Sequence, residues 1–280
     1  MMTKKMKIAV TIFFVFVFIS VMGQEPIEVS IVQRPSSQGM NPAFEVLVPQ
    51  ATPDEAIDLL KKTISPGGIF RKNKKVEKVE DEWQVDGVVI NDITSRPLDV
   101  ITQVSSFPGH IYVRMFFQSN GEFLGAENDT VQITEAAQKF VREYGVDLYR
   151  LAVEKELKEE EKELRKLEND LDRLERKNNN FDDKADDARK DQKDFDDETD
   201  YQRKDLREAK RSDEYSEEEL DRMEKDLKSS EKDLKKAKKA EAKFERKMDK
   251  NEREQRELTR EIEKQEEVID KVKEKLDNIR

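Results

Sequence analysis

Few residues in this chain are equipped for covalent or metal chemistry. Of 280 residues none is cysteine and only His110 is histidine. Without cysteine there is no thiol nucleophile, zinc–thiolate site, disulfide or lipid-bearing N-terminal cysteine. One histidine cannot supply a two-histidine metal motif. His110 follows Pro108-Gly109, a turn signal, and is expected to stand in solvent rather than act as a base. Carboxylates are plentiful, and two of them suitably spaced serve glycoside hydrolysis. Asp81 with Glu82, or Asp92 with Asp99, are available for that role, but sequence does not fix their separation. Neither a GxSxG elbow nor a P-loop occurs. Ser65-Pro66-Gly67-Gly68 ends a helix instead of opening one, which is the wrong geometry for an anion.

Charge runs are the other chemical feature. Asp182, Asp183, Asp186, Asp187, Asp191, Asp194, Asp196, Asp197, Glu198 and Asp200 enclose only four bases. They lack the spacing and glycine of a calcium loop, so a solvated helix face is expected. Lys235, Lys236, Lys238, Lys239 and Lys243 read as a salt-bridged face, and the bases Arg71, Lys72, Lys74, Lys75 and Lys78 as a solvated loop and strand edge. Asn128-Asp129-Thr130 matches an N-glycosylation triplet and Asp129-Thr130-Val131 a short O-glycosylation signal of exported bacterial proteins, and both are too brief to be specific. No residue is assigned to catalysis, a cofactor or a metal.

The first 23 residues carry a processing signal. Lys4, Lys5 and Lys7 precede an apolar run over 8–21, and Val21 and Gly23 stand at −3 and −1 of a cut before Gln24. The run is shorter than the roughly 20 residues of a membrane span, and no second such run follows. The expectation is a cleaved signal peptide, export to the periplasm or beyond, and a mature chain with no transmembrane segment. It would hold 50 basic against 64 acidic side chains, a balance unsuited to nonspecific nucleic-acid binding.

Two halves with different physics follow. Residues 24–145 hold 30 charged side chains in 122, whereas 146–280 hold 84 in 135 with no glycine or proline. In the first half, 27–32, 44–48, 76–79, 83–90, 98–105 and 111–118 have strand chemistry. Pro108-Gly109 predicts a type II turn and Asn120-Gly121 a second turn. Thr52-Pro53-Asp54-Glu55 reads as a capping box opening a helix with Ala56, Ile57, Leu59, Leu60 and Ile64 on one face. Thr134 is expected to cap a second helix, buried through Ala137, Phe140, Val141, Tyr144, Leu148 and Leu151. The fold class is therefore α+β, a small antiparallel sheet with helices on one face, followed by a long α-helical coiled coil. Over roughly 41–150, the TPDE helix start and the element order resemble small secreted bacterial proteins with a TATA-box-binding-protein-like α+β domain. The resemblance implies that fold and carries over no functional residue.

The second half is ordered by heptads over 157–279. Twenty-four of the 36 a and d positions are apolar, against 5 of the other 87, so a coiled-coil seam is expected and a solitary ion-paired helix is not. Leu157, Leu164, Leu171, Leu206, Leu220, Leu227, Leu234, Ile262, Ile269 and Leu276 occupy a; Leu167, Leu174, Leu258, Val272 and Ile279 occupy d. The frame runs unbroken past 178–180 and 211–216, which favours one continuous helix of roughly 200 Å over a hairpin. Small and polar seam residues make 178–201 the expected place for any bend. Asn178 at a favours two strands, so a parallel dimer is expected, with trimers and an antiparallel hairpin left open.

These features predict a non-enzymatic exported bacterial envelope protein: a small α+β domain on a self-associating coiled-coil stalk. The alternatives are a module binding a glycan, lipid or peptide, with an envelope protein or glycan as partner, and a carboxylate-based hydrolase.

Overall fold

Thr52 and Glu55 open the first helix by reciprocal capping: Thr52 N–H donates to Glu55 Oε2 at 2.9 Å, and Glu55 N–H donates to Thr52 Oγ1 at 3.4 Å. In the computed structural model, which describes residues 27–64, 75–126, 131–212 and 214–280, this helix is α1 (Pro53–Ile64). Two strands precede it, β1 (Val29–Ser36) and β2 (Gly39–Pro49). After it come β3 (Glu77–Val79), β4 (Glu82–Val88), β5 (Leu98–Phe107), β6 (His110–Ser119) and β7 (Glu122–Phe123). Two helices complete the chain, α2 (Val131–Ala209) and α3 (Glu217–Asp277). The signal segment, 65–68, Arg71, Lys72, Lys74 and the triplet at 128–130 lie outside the described residues.

The strands form one antiparallel sheet in the order β1-β2-β6-β5-β4-β3, with β7 beside β6. The turns follow the sequence signals. Gly109 takes φ 82° between the paired Phe107 and His110, as a type II turn needs. Asn120 and Gly121 take φ 52° and 85° in the β6–β7 hairpin. Alternation then sorts the side chains. Val46, Val113, Met115 and Phe117 share the face that meets the helices, and all are fully buried. Phe117 meets Phe140 of α2 edge-on with ring centres 6.0 Å apart, and the Tyr144 hydroxyl donates to Ala56 O, tying α2 to α1. The fold is thus α+β with helices on one face of an antiparallel sheet.

Three sequence expectations change here. Thr134 lies inside α2, which already includes Val131, so it is not the cap. Leu151 is exposed, and the helix instead buries Ala152 and Val153. The long helix is not continuous: α2 ends at Ala209 and α3 starts at Glu217, so the break falls at 210–216 and not at 178–201. The physical reason is a second capping box. Ser216 N–H donates to Glu219 Oε2 at 2.9 Å, and Glu219 N–H returns to Ser216 Oγ at 3.4 Å. Those hydrogen bonds, the one from the Ser216 backbone foremost, hold the Glu219 carboxyl below its ordinary pKa.

The chain divides into two compact units, Met1–Ala152 with Asn278–Arg280, and Val153–Asp277. In the second unit α2 and α3 pair antiparallel. Cross-helix bonds run from Arg189 Nε to Glu241 Oε1 (2.9 Å), Arg203 Nη2 to Glu231 Oε1 (2.9 Å) and Lys275 Nζ to Glu156 Oε2 (2.8 Å). Asn251 Nδ2 donates to Asn178 Oδ1, so an a position faces a d position, the pairing of antiparallel strands. No helix among the described residues is long and apolar enough to cross a membrane.

Candidate functional site

The helix-free face of the sheet gathers the polar and aromatic side chains of the α+β unit. Its first feature is a latch. The tip of the β1–β2 hairpin bends over this face to reach β4, and Glu82 receives it. Ser37 N–H (3.0 Å), Ser37 Oγ (2.6 Å), Gln84 Nε2 (3.1 Å) and Gln103 Nε2 (2.8 Å) all donate to the Glu82 carboxylate. Gln103 Nε2 also donates to Pro35 O at 2.8 Å. Burial pushes the Glu82 pKa up, but the donated hydrogen bonds from Ser37, Gln103 and Gln84 outweigh it and hold the carboxyl below its ordinary value. Under the arch lies a small apolar cluster of Ala43, Ile101 and Phe116, with Val32 and Phe123 against it.

The second feature is Glu45, buried on the same face. Arg114 Nε and Arg34 Nη2 both donate to it, and Arg114 Nη1 goes on to Ser105 Oγ at 2.8 Å. Asp99, another of the four carboxylates considered for hydrolysis, accepts the Gly87 N–H at 2.6 Å and pins the bulge between Val85 and Val88, while Asp81 and Asp92 are exposed. Glu82, Glu45 and Asp99 are therefore each committed to a donor that holds the fold.

The third feature is aromatic. His110 is half-buried rather than open: its ring stacks on Phe107 (centroids 5.5 Å apart, planes 8° apart), and Tyr112 meets both edge-on. The Arg114 guanidinium lies 5.7 Å from the Tyr112 ring centre. Phe107 remains 49% exposed and Leu47 39%, so the group forms an apolar shelf at the β5–β6 turn. The sequence reading missed Glu45, Phe107, Tyr112 and Arg114. The available signal was alternation in β6, which places Tyr112, Arg114 and Phe116 together on the face opposite the core.

The helical hairpin accounts for the heptad residues. Leu206, Leu234, Ile269 and Val272 are buried in it, and Ile279 is buried in the first unit, where Arg150 Nη2 donates to its carbonyl at 3.5 Å. Leu157, Leu164, Leu167, Leu171, Leu174, Leu220, Leu227, Leu258, Ile262 and Leu276 are half-buried. The seam is occupied within one chain. Stepping outward by heptads from Asn178–Asn251 sets Leu171 level with Leu258, Thr199 with Ser230, and Ala185 with Phe244. Lys247 sits 5.1 Å from the Phe181 ring centre and 5.3 Å from that of Phe244. The short side chains Ala185, Ala188, Thr199, Ser230 and Ala237 are buried as well. The acidic run and the lysines 235, 236, 238, 239 and 243 all face outward, some in exposed ion pairs such as Asp186 with Arg189 at 2.9 Å. Among the described residues no group of His, Asp and Glu is arranged to hold a metal ion.

No protein family, curated protein or solved structure matches this chain.

Proposed function

We propose that this is a non-enzymatic, exported protein of the bacterial cell envelope, in which an α+β domain is carried by a self-associating helical element. One observation carries the reading: in Val153–Asp277 the apolar residues are concentrated in the seam between α2 and α3, with Tyr201 and Tyr215 the large exposed exceptions, so this unit is built as an extended contact element and not around a ligand core. The hydrogen bonds that Glu45, Glu82 and Asp99 accept support a structural role for these three carboxylates. Export rests on the 1–23 pattern, and intact mass of the exported protein should start at Gln24. A chain still beginning at Met1 or Met2 counts against export. Association is tested by light scattering, where a mass of two chains is expected. Leu227→Asp with Leu234→Asp should abolish it while leaving Trp83, the only tryptophan, with its native emission.

A second reading is carried by the shelf of Phe107, His110 and Tyr112. One exposed ring, Phe107, beside two half-buried rings backed by an arginine suits the flat apolar face of a sugar ring. Titration with envelope glycan fragments should broaden the ring resonances of these three residues, and Phe107→Ala should remove the effect. Unchanged spectra at millimolar glycan count against this reading.

A further inference from the structure

We infer that the helical hairpin exchanges α3 between two copies of the chain, forming an antiparallel dimer in which 210–216 continues as helix. The inference rests on the proposed self-association and specifies its geometry. Three observations carry it.

The heptad frame passes through the turn. Leu206 and Leu220 are a positions, Ala209 and Ser216 d positions, and seven-residue steps connect them across the break. A hairpin has no use for this phase, because its two helices are free to enter the seam in any rotation. A continuous helix requires it. The turn also contains no glycine or proline. The bonds at its entry keep a helical sense: Arg211 N–H donates to Glu208 O at 3.0 Å and Ser212 N–H to Ala209 O at 3.2 Å.

The cross-helix contacts survive exchange. An antiparallel hairpin pairs residue i with residue j of its own chain. Two opened chains related by a two-fold axis at the turn pair i with j of the partner and j with i. Asn178–Asn251, Arg189–Glu241, Arg203–Glu231 and Lys210–Glu224 are each remade twice. Opening loses the Ser216–Glu219 box and gains helical hydrogen bonds through the turn, so protein concentration sets the balance.

The layers are matched for this pairing alone. Amide bonds amide at Asn178–Asn251, and the heptad register from that pair sets Thr199 level with Ser230 and Ala185 level with Phe244. A parallel dimer would instead stack Ala185 on Ala185 and Phe244 on Phe244.

The absence of cysteine makes a direct test possible. Thr199→Cys with Ser230→Cys, in the full chain, places thiols in one layer at little change in volume. Oxidation at high protein concentration, followed by mass analysis under denaturing conditions, reads the partner. The expected result is a covalent dimer linked 199 to 230 between chains. A non-covalent dimer whose chains are each closed 199 to 230 within themselves, or one linked 199 to 199, overturns exchange and leaves self-association standing. A monomer at every concentration overturns both. A Gly-Gly insertion after Ser212 keeps a turn but breaks the frame. It should weaken dimerisation at least about tenfold, and an unchanged dimer overturns the proposal.

Discussion

Asn251 donates its side-chain amide across the hairpin to two acceptors at once, Asn178 Oδ1 at 3.2 Å and Leu174 O at 2.7 Å. Asn251 is only 5% exposed, so its amide has little access to water. An amide pair of this kind, with Asn251 buried and Asn178 half-buried, fixes register, because any slip leaves both amides unpaired in the seam. Replacing Asn251 by alanine should cost the hairpin about 1–3 kcal/mol, the range for orphaning a buried polar partner. Replacing both Asn178 and Asn251 by leucine should restore that loss or exceed it. Urea unfolding followed by circular dichroism at 222 nm reads both. A double variant no more stable than Asn251→Ala would show that the pair does not set the register.

The Glu82 latch gives a pH signature. Its folded pKa is depressed, so its contribution is complete above the ordinary glutamate value of about 4.3 and is lost as pH falls through the folded pKa. Glu82→Gln removes the titrating group and keeps the shape. The gap in stability between wild type and Glu82→Gln should therefore be widest near neutral pH and close on acidification. Trp83, adjacent in β4 and the only tryptophan, reports this unit without signal from the hairpin. A gap independent of pH between 3 and 7 would remove Glu82 from the acid response.

Much of this fold was legible because its signals are local. Thr52-x-x-Glu55, Pro108-Gly109 and Asn120-Gly121 each specify one turn of chain, and the heptads specify which side of each helix is covered. The break at 210–216 was legible too, since Ser216-x-x-Glu219 carries the same capping signature as Thr52-x-x-Glu55. It was outweighed by the unbroken heptad frame. What was not legible depends on distant residues. Glu82 meets Ser37 only because the β1–β2 tip bends over the sheet. Glu45 meets Arg114 only through the β2–β6 register. His110 was expected in solvent for a different reason: the Pro108-Gly109 turn signal sets the backbone pairing of Phe107 with His110 but not the stacking of their rings.

Gly145 in α2 makes a prediction against helix propensity. Alanine in a helix interior is favoured over glycine by about 1 kcal/mol. Here a Cβ would lie 2.8 Å from Val46 Cγ2 and 3.0 Å from Ile27 Cγ2. Val46 is fully buried and β-branched, so it has no free rotamer to yield. Overpacking costs of about 1–3 kcal/mol exceed the propensity gain. Gly145→Ala should lower the urea midpoint read at Trp83, and a raised midpoint would mean that α2 rides further from β2.

Ala185 separates two views of the middle of the hairpin by sign. As a heptad sequence, 178–201 is a thin seam, and leucine at the a position 185 would be an improvement of about 1.5–3 kcal/mol from added burial. In the structure Ala185 is 0% exposed and Ala188 5%, so the site is already closed. The register places Phe244 level with Ala185, and Lys247 lies over the rings of both Phe244 and Phe181. A larger side chain at 185 would have to displace Phe244, and with it the Lys247 contact to both rings. The small side chain at 185 is therefore tight packing against a large partner rather than missing core. Ala185→Leu should destabilise the hairpin by about 1–3 kcal/mol, and the double change with Phe244→Ala should recover most of that loss by restoring the summed volume of the layer. Both are read by urea unfolding at 222 nm. A stabilised Ala185→Leu single variant would mean that the helices stand apart at this layer.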